Sequence, residues 1–352
     1  MRNLKKTGIF LGLFLILIFS VIIGTEKEVQ QQQTYIPQVI LNSPWGEKNV
    51  FMDKEASPES EFGVYDPYSR NPKAYDAGPI QGPSNFNVAP NGDIYICDIF
   101  NERIQRFSAG GQLVSVINIG GWRGYGDDLS VDENGNIYVL YSSYSPARVC
   151  KFNQQGNLLI EYVSFKDEDS KGMNIGGGPT KIFCDNSGRL FMRYYSEKDL
   201  HFKIFQLGTD VAEFAPEQQK ATLRNGFVGV NGLSLNQDLI FGIIDGKMYL
   251  LDNTGKAVKE YKHGANPRLL VGTDATGCIY LHAFDLTKDV QLVRKYDPEG
   301  RLISVIELKT IDYAHHNLNK PITVDAQGNI YVFDSTKEGI TLTKWSPSGA
   351  SK

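Results

Sequence analysis

Carboxylates Asp127 and Asp128, with the carboxamides of Asn85 and Asn231, offer the hard oxygen atoms that a divalent cation such as calcium prefers. His201, His282 and His315 come from separate stretches of chain and are the imidazoles that could converge on zinc. His315 and His316 are adjacent, so in extended chain they point apart and cannot chelate together without a turn. Cys97, Cys150, Cys184 and Cys278 show no C-x-x-C spacing, which leaves four buried free thiols as the expectation. There is no G-x-S-x-G, no H-E-x-x-H and no phosphate-binding loop, and the glycine-rich GGWRGYG and IGGGP stretches open strands rather than helices. No catalytic residue is therefore assigned. The remaining chemistry belongs to recognition: Trp122, Arg123, Tyr125, Tyr144, Arg148, Tyr194 and Arg268 are the aromatic and guanidinium types that anchor interfaces. Packing between repeats is the competing role for each aromatic, and a solvated surface position for each histidine.

These residues fall between copies of one motif: a short apolar strand, a polar turn with glycine, then an aliphatic-aromatic strand. The copies are FNVAPNGDIYICD, LSVDENGNIYVLY, IFCDNSGRLFMRY, LSLNQDLIFGIID, LVGTDATGCIYLH and ITVDAQGNIYVFD. Their turn glycines are Gly92, Gly135, Gly188, Gly277 and Gly328, the fourth copy having none, and the period is about 43 to 53 residues. A second turn glycine follows 19 to 23 residues later at Gly111, Gly156, Gly300 and Gly349. Alternating runs such as ERIQRFS and ARVCKFN lie between the two turns, and LVSVINI or LISVIEL follow the second. Each repeat thus reads as four antiparallel strands. Six such units with no helical periodicity make an all-β, six-bladed β-propeller.

The phrase GPSNFNVAPNGDIYICDIFNERIQRFSAGGQLVSVI closely resembles the NHL repeat. Copies two, five and six resemble it moderately, and copies three and four poorly. The resemblance covers roughly residues 83 to 349 and implies a six-bladed ring that most often serves as an interaction platform. The last copy ends before a fourth strand, so an N-terminal strand is expected to close the ring. TYIPQVIL (Thr34 to Leu41) is the first choice and KNVFM (Lys48 to Met52) the second.

Connections from first to second and from third to fourth strand read as short, and the other two classes as long. The long ones are expected on one face. That face is read to carry GGWRGYGDD, SFKDEDSKGMNIGGGPT, Ala215 to Asn231, KHGANPR, KTIDYAHHNLNKP, YSSYSPAR, YYSEKDLH and HAFDLTKD. It is the expected binding surface, presenting Trp122, Arg123, Tyr125, Asp127, Asp128, Tyr144, Arg148, Tyr194, His201, Arg268, His282 and His315. Gluconolactonase- and paraoxonase-type propellers hold a divalent cation at the channel mouth, so a hydrolase or lyase using calcium or zinc is the alternative; an amidating-lyase-like zinc site would need histidines from separate blades. No cofactor is expected in the leading reading.

The 352 residues are 41% apolar and 22% charged, with net charge −4, which suits one large globular domain and gives no footprint for nucleic acid. Arg2, Lys5 and Lys6 precede an uncharged run, Gly8 to Gly24, that reads as an export signal. Without an A-x-A site or a nearby cysteine, an uncleaved single-pass helix is preferred to a cleaved signal and secretion. The positive-inside rule places the rest outside the cytoplasm. The domains are then an anchor over 1–25, a polar tether over 26–34 and the propeller over 35–352. The expected partner of this monomer is a protein, peptide or cell-wall polysaccharide.

Overall fold

Gly92, Gly111, Gly135, Gly156, Gly277, Gly300 and Gly328 have φ between +75° and +87°, a region that residues with a β-carbon rarely enter. Each is the fourth residue of a five-residue connection closed by two backbone hydrogen bonds. In one, Asp132 N–H donates to the Asn136 carbonyl at 3.1 Å and Gly135 N–H to the Asp132 carbonyl at 3.0 Å. A type I turn followed by a left-handed residue is the tight hairpin that the right-handed strand twist accepts. The sequence marks these seven positions; Gly188 and Gly349 lie outside the described residues.

The structure is a computed structural model that describes residues 33–48, 62–64, 82–83, 85–98, 101–119, 128–141, 148–163, 178–184, 190–196, 201–207, 219–222, 233–236, 239–244, 247–251, 257–261, 269–285, 287–288, 290–308, 321–335 and 339–348. β1 (Tyr35–Lys48) and β2 (Phe62–Val64) precede the repeats. The first repeat supplies β3 (Asn85–Val88), β4 (Ile94–Asp98), β5 (Arg103–Phe107) and β6 (Leu113–Asn118). The second supplies β7 (Asp128–Val131), β8 (Ile137–Tyr141), β9 (Arg148–Phe152) and β10 (Leu158–Val163). The third supplies β11 (Gly178–Cys184), β12 (Leu190–Ser196), β13 (His201–Leu207) and β14 (Gln219–Thr222). The fourth supplies β15 (Leu233–Asn236), β16 (Leu239–Ile244), β17 (Lys247–Leu251) and β18 (Ala257–Tyr261). β19 (Leu269–Thr273), β20 (Ile279–Asp285), β21 (Val290–Tyr296) and β22 (Leu302–Leu308) form the fifth. β23 (Ile322–Val324), β24 (Ile330–Ser335) and β25 (Gly339–Pro347) form the last.

Among the described residues these strands make five four-stranded sheets and one five-stranded sheet, ordered β2-β1-β25-β24-β23. Neighbours within a repeat pair antiparallel in sequence order. First strands of successive sheets lie side by side at β3/β7, β7/β11, β15/β19, β19/β23 and β23/β3, the last contact returning to the start. Apolar side chains fill the space between sheets rather than within one. Leu129, Ile137 and Cys150 of the second sheet pack with Cys97, Ile104 and Ile117 of the first, and Phe333 and Leu342 of the last pack with Phe86 and Ile96 of the first. Radially stacked antiparallel four-stranded sheets are a β-propeller.

β1 is the strand that completes the last sheet. It pairs antiparallel with β25 from Tyr35↔Pro347 to Pro44↔Gly339. This is the segment expected from Thr34 to Leu41; of the second choice, Lys48 is the last residue of β1 and 49–52 lie outside the described residues. Beyond it, β2 runs parallel to β1 and buries Phe62, whose ring stacks 6.1 Å from Phe107 of the first sheet.

Two expectations about connections need correcting. β14 falls inside the Ala215 to Asn231 segment, which is therefore partly the fourth strand of its sheet rather than all loop. Connections between second and third strands are not uniformly long: Ile244↔Lys247 leaves two residues between β16 and β17. A hairpin needs no more than that, and the length is concentrated in the crossings between repeats, such as Val163 to Gly178 and Leu308 to Ile322. No helix among the described residues is long and apolar enough to cross a membrane; Gly8 to Gly24 lies outside them.

Candidate functional site: the long-loop face

Because the first strand of each sheet ends at a tight turn, it begins on the opposite face, where the long crossings arrive. Asn85 opens β3, Asp128 opens β7 and Gly178 opens β11, so the topology gathers these positions at one end of the axis. Asn85 Nδ2 donates to Asp128 Oδ1, and the Ile182 N–H of β11 donates to Asp128 Oδ2 at 2.8 Å. Two residues on, Ser130 Oγ accepts the Cys184 N–H at 2.8 Å. Asp128 and Ser130 share one side of β7, as residues two apart in a strand must, and together they hold β11 by its backbone. Asp128 is 1% exposed. Its carboxylate joins three sheets, so it belongs to the wall of the face rather than to its exposed surface. Asn85 is wholly buried, and its Oδ1 has no hydrogen-bond partner.

A second cluster on this face closes the β4–β5 connection. Asp98 Oδ2 accepts Asn101 Nδ2 at 2.7 Å and Arg103 Nε at 3.0 Å, and both Asp98 and Arg103 are buried. Glu102 takes φ +51° and its carbonyl accepts the Ile119 N–H at 3.0 Å. The Asp-x2-Asn-x-Arg spacing in CDIFNERI was the available signal for this cluster, and its structural role was not read from it.

The other candidates are distributed. Arg148 opens β9 and pairs through Nη1 with Glu161 Oε1 of β10 at 3.0 Å, a contact across the sheet. His282 lies within β20 with Nε2 2.9 Å from Gln291 Oε1. Tyr194 is in β12 opposite Lys203, and His201 opens β13 opposite Ser196. Trp122, Arg123, Tyr125, Asp127, Tyr144, Arg268, His315 and Asn231 lie outside the described residues. Among the described residues no group of three or more His, Cys, Asp or Glu is placed to hold a metal ion. None of the four cysteines is in a disulfide; Cys97, Cys150 and Cys278 are buried, Cys184 is half-buried rather than buried as expected, and burial pushes the Cys150 thiol up to about 12.

The opposite face carries a repeated device that sequence reasoning missed. Asp132, Asp274 and Asp325 each accept two backbone N–H groups of their own turn through Oδ1. Through Oδ2 they accept the hydroxyls of Tyr138, Tyr280 and Tyr331 at 3.2, 2.8 and 3.0 Å. Lys151, Lys295 and Lys344 lie over those rings at 5.3, 5.2 and 5.5 Å, and Arg106 over Tyr95 at 5.8 Å. The cation is the direct cross-strand partner of the tyrosine each time, which places it over the ring face. Burial raises the Tyr280 and Tyr331 pKa values, so both hydroxyls stay protonated donors. Burial opposes charge on Asp274 too, but bonds from Thr276 and Tyr280 and the charge of Lys295 at 3.4 Å outweigh it and hold its pKa below the ordinary carboxylate value. The signal was an Asp-x3-(Asn/Cys)-x-Tyr run followed by Lys before an aromatic.

No protein-family model matches the chain, and no curated protein matches it in sequence. Solved structures that resemble it include a streptogramin B lyase, 13% identical over 89% of this chain and 98% of that one, TM-score 0.47. A gluconolactonase from Xanthomonas campestris is 12% identical over 73% and 82%, TM-score 0.45. The calcium-binding protein regucalcin from Agrobacterium tumefaciens is 14% identical over 75% and 91%, TM-score 0.47. The fold assignment above rests on strand order and register, independently of these likenesses.

Proposed function

We propose that the chain is a six-bladed NHL-type propeller, held outside the cytoplasmic membrane by its N-terminal segment, whose long-loop face recognises a protein, peptide or cell-wall polymer. The observation that carries this reading is the inequality of the two faces. One is a set of near-identical glycine turns, four of them opened by an aspartate that accepts N–H groups of its own turn, which leaves little to vary between ligands. The other receives every crossing between repeats, and rigid strands presenting unlike loops are how such scaffolds acquire specificity. Trp122, Tyr125 and Tyr144, with Arg123 and Arg268, supply the anchor types there. The commitment of Asp128 to Asn85 and Ile182 supports a binding surface over a carboxylate-centred reaction.

A metal-dependent hydrolase or lyase is the second reading, favoured by one observation: the unpartnered Oδ1 of buried Asn85 at the mouth. Thermal unfolding of the full chain in detergent, with EDTA and then with millimolar calcium, zinc or manganese, separates the two. A metal at about 100 times its dissociation constant stabilises the native state by about 2.7 kcal/mol. A metal-specific rise in Tm supports the enzyme. For the binding reading, the full chain is incubated with purified peptidoglycan and with a peptide array. Binding lost in Trp122→Ala with Tyr144→Ala, and kept in variants of the tight-turn face, is the expected result. Equal binding by all variants would overturn it.

A further inference from the structure

We propose that the tight-turn edge of the propeller rests on the bilayer, through apolar side chains at the start of the outermost strands, so that the long-loop face points away from the membrane. The inference rests on the reading that Gly8 to Gly24 crosses the membrane. It adds which face is buried against lipid and which is left free.

The direction of β1 sets the geometry. In each repeat the fourth strand starts at the tight turn that follows the third, as β6 starts after Gly111 and β10 after Gly156. β1 occupies the fourth place of the last sheet and runs antiparallel to β25, so its first residue, Tyr35, lies at the tight-turn edge beside Pro347. The chain preceding it is already fixed there. The Gln33 carbonyl accepts Ser304 Oγ at 2.7 Å, Gln33 Oε1 accepts Lys295 Nζ at 3.1 Å, and Thr34 Oγ1 is bonded to Ser348 Oγ. Only residues 25–32 separate this anchorage from the end of the apolar run. Eight residues span at most roughly 26–29 Å fully extended, less than the reach needed to let the domain tumble freely above the surface.

The same edge carries the exposed large apolar side chains of the described residues. Leu113 and Val114 open β6, Leu158 and Leu159 open β10, Leu302 opens β22, and Ile36 and Val39 lie in β1; their exposure runs from 37% to 62%. They come from the fourth strands of the first, second, fifth and last sheets, which are consecutive around the axis. The repetition of G-x-Leu followed by Val, Leu or Ile after the second turn (GQLV, GNLL, GRLI) puts two apolar residues at each strand start. A rim of this kind, tethered within a few nanometres of lipid, matches shallow insertion of leucine and valine side chains at the headgroup boundary.

The test uses the full chain in vesicles of phosphatidylethanolamine and phosphatidylglycerol. Single cysteines replace Leu113, Leu159 and Leu302 at the rim and Thr287 in the β20–β21 connection on the other face, in a Cys184→Ser background, and carry a nitroxide. Accessibility to oxygen, enriched in lipid, is compared with accessibility to a water-soluble nickel chelate. The expected result is loss of nickel accessibility with gain of oxygen at the three rim sites, and full nickel accessibility at position 287. Nickel accessibility at the rim equal to that at 287 would overturn the proposal, as would protection from both reagents, which means protein covers the rim. Failure of the chain to stay with the vesicles after alkaline carbonate extraction would instead sink the anchor reading. Leu113→Asp with Leu159→Asp gives a second measure: carbonate-resistant attachment persists while the remaining rim label at Leu302→Cys regains nickel accessibility.

Discussion

Replacing Gly111 with alanine tests whether β1 truly completes the ring. Alanine at Gly92 pays for its left-handed φ of +87°, about 1–2 kcal/mol, and little else, because the nearest atom to its β-carbon is Ala109 Cβ at 3.2 Å. Gly111 has nearly the same φ, +80°, so that cost is shared. Its β-carbon would sit 1.5 Å from the Ile40 carbonyl oxygen, a backbone atom of β1. One of the two chains must move by about as much again to reach ordinary contact. Ile40 is the residue at which the β1–β25 register shifts, so the movement falls on a seam already interrupted. Forcing atoms into a packed interior costs about 1–3 kcal/mol, which brings Gly111→Ala to roughly 2–5 kcal/mol against 1–2 for Gly92→Ala. Gly156→Ala is the internal standard: its β-carbon meets Ile117 Cγ2 at 2.9 Å, the side chain of the preceding fourth strand, which can give way more readily than backbone. Urea unfolding of the full chain in detergent, followed by far-ultraviolet circular dichroism, reads all three. The order Gly92→Ala, Gly156→Ala, Gly111→Ala in increasing loss of stability is expected. Equal losses at Gly92 and Gly111 would refute the placement of β1 against the first sheet.

Other outcomes follow from the same contacts. Asp274→Asn removes the buried partner of Lys295 and should cost about 3 kcal/mol, measured in the same unfolding series. Since the folded pKa of Asp274 is depressed, its contribution is present above the unfolded value and is lost as pH falls below about 4; the wild-type midpoint should drop there more steeply than that of Asp274→Asn. Asp128→Ala leaves the Ile182 N–H and the Asn85 amide without their acceptor. A loss of about 2–6 kcal/mol is expected, two buried donors at about 1–3 kcal/mol each, with no change in any calcium response if the carboxylate is only a clamp. Native titration with a thiol reagent at pH 8 should leave Cys97, Cys150 and Cys278 unreacted, and all four thiols should react in denaturant; fast labelling of Cys150 in the native state would contradict its burial.

How far the fold could be read from residues follows from which constraints are local. Positive φ at Gly92, Gly135 and Gly328 is a property of one residue in one turn, so glycine spacing located the hairpins and the alternating runs located the strands between them. Closure by β1 was legible because the last repeat, with GITLTKWSP as its third strand, lacks a fourth, and two apolar segments near the other end, TYIPQVIL first and KNVFM second, stood unassigned. The Asp132–Asn136–Tyr138 cluster was present in the sequence as VDENGNIY, but its meaning depends on Lys151 arriving over the ring from the third strand, a register fact that no single segment states. Asp128 is joined to Asn85, with which the sequence groups it, but its role as a clamp on β11 is again a register fact. Beside Asp127 in a glycine-rich loop it looked like half of a carboxylate pair, and only the start of β7 at that residue turns its side chain into the wall, where β11 supplies an N–H.

The two faces also divide the work of the molecule in a way that constrains any ligand. On the tight-turn face Asp132, Asp274 and Asp325 each bind their own turn, their own tyrosine and, for Asp274, a lysine held by the N-terminal segment through Gln33, so disturbance there propagates to the seam. On the other face Asp128 and Ser130 accept backbone N–H groups of the next sheet, and Asp128 also accepts the Asn85 amide of the preceding one. The expected outcome of substituting Trp122, Arg123 or Tyr125, anchors of the proposed binding surface, is altered binding with an unchanged urea midpoint.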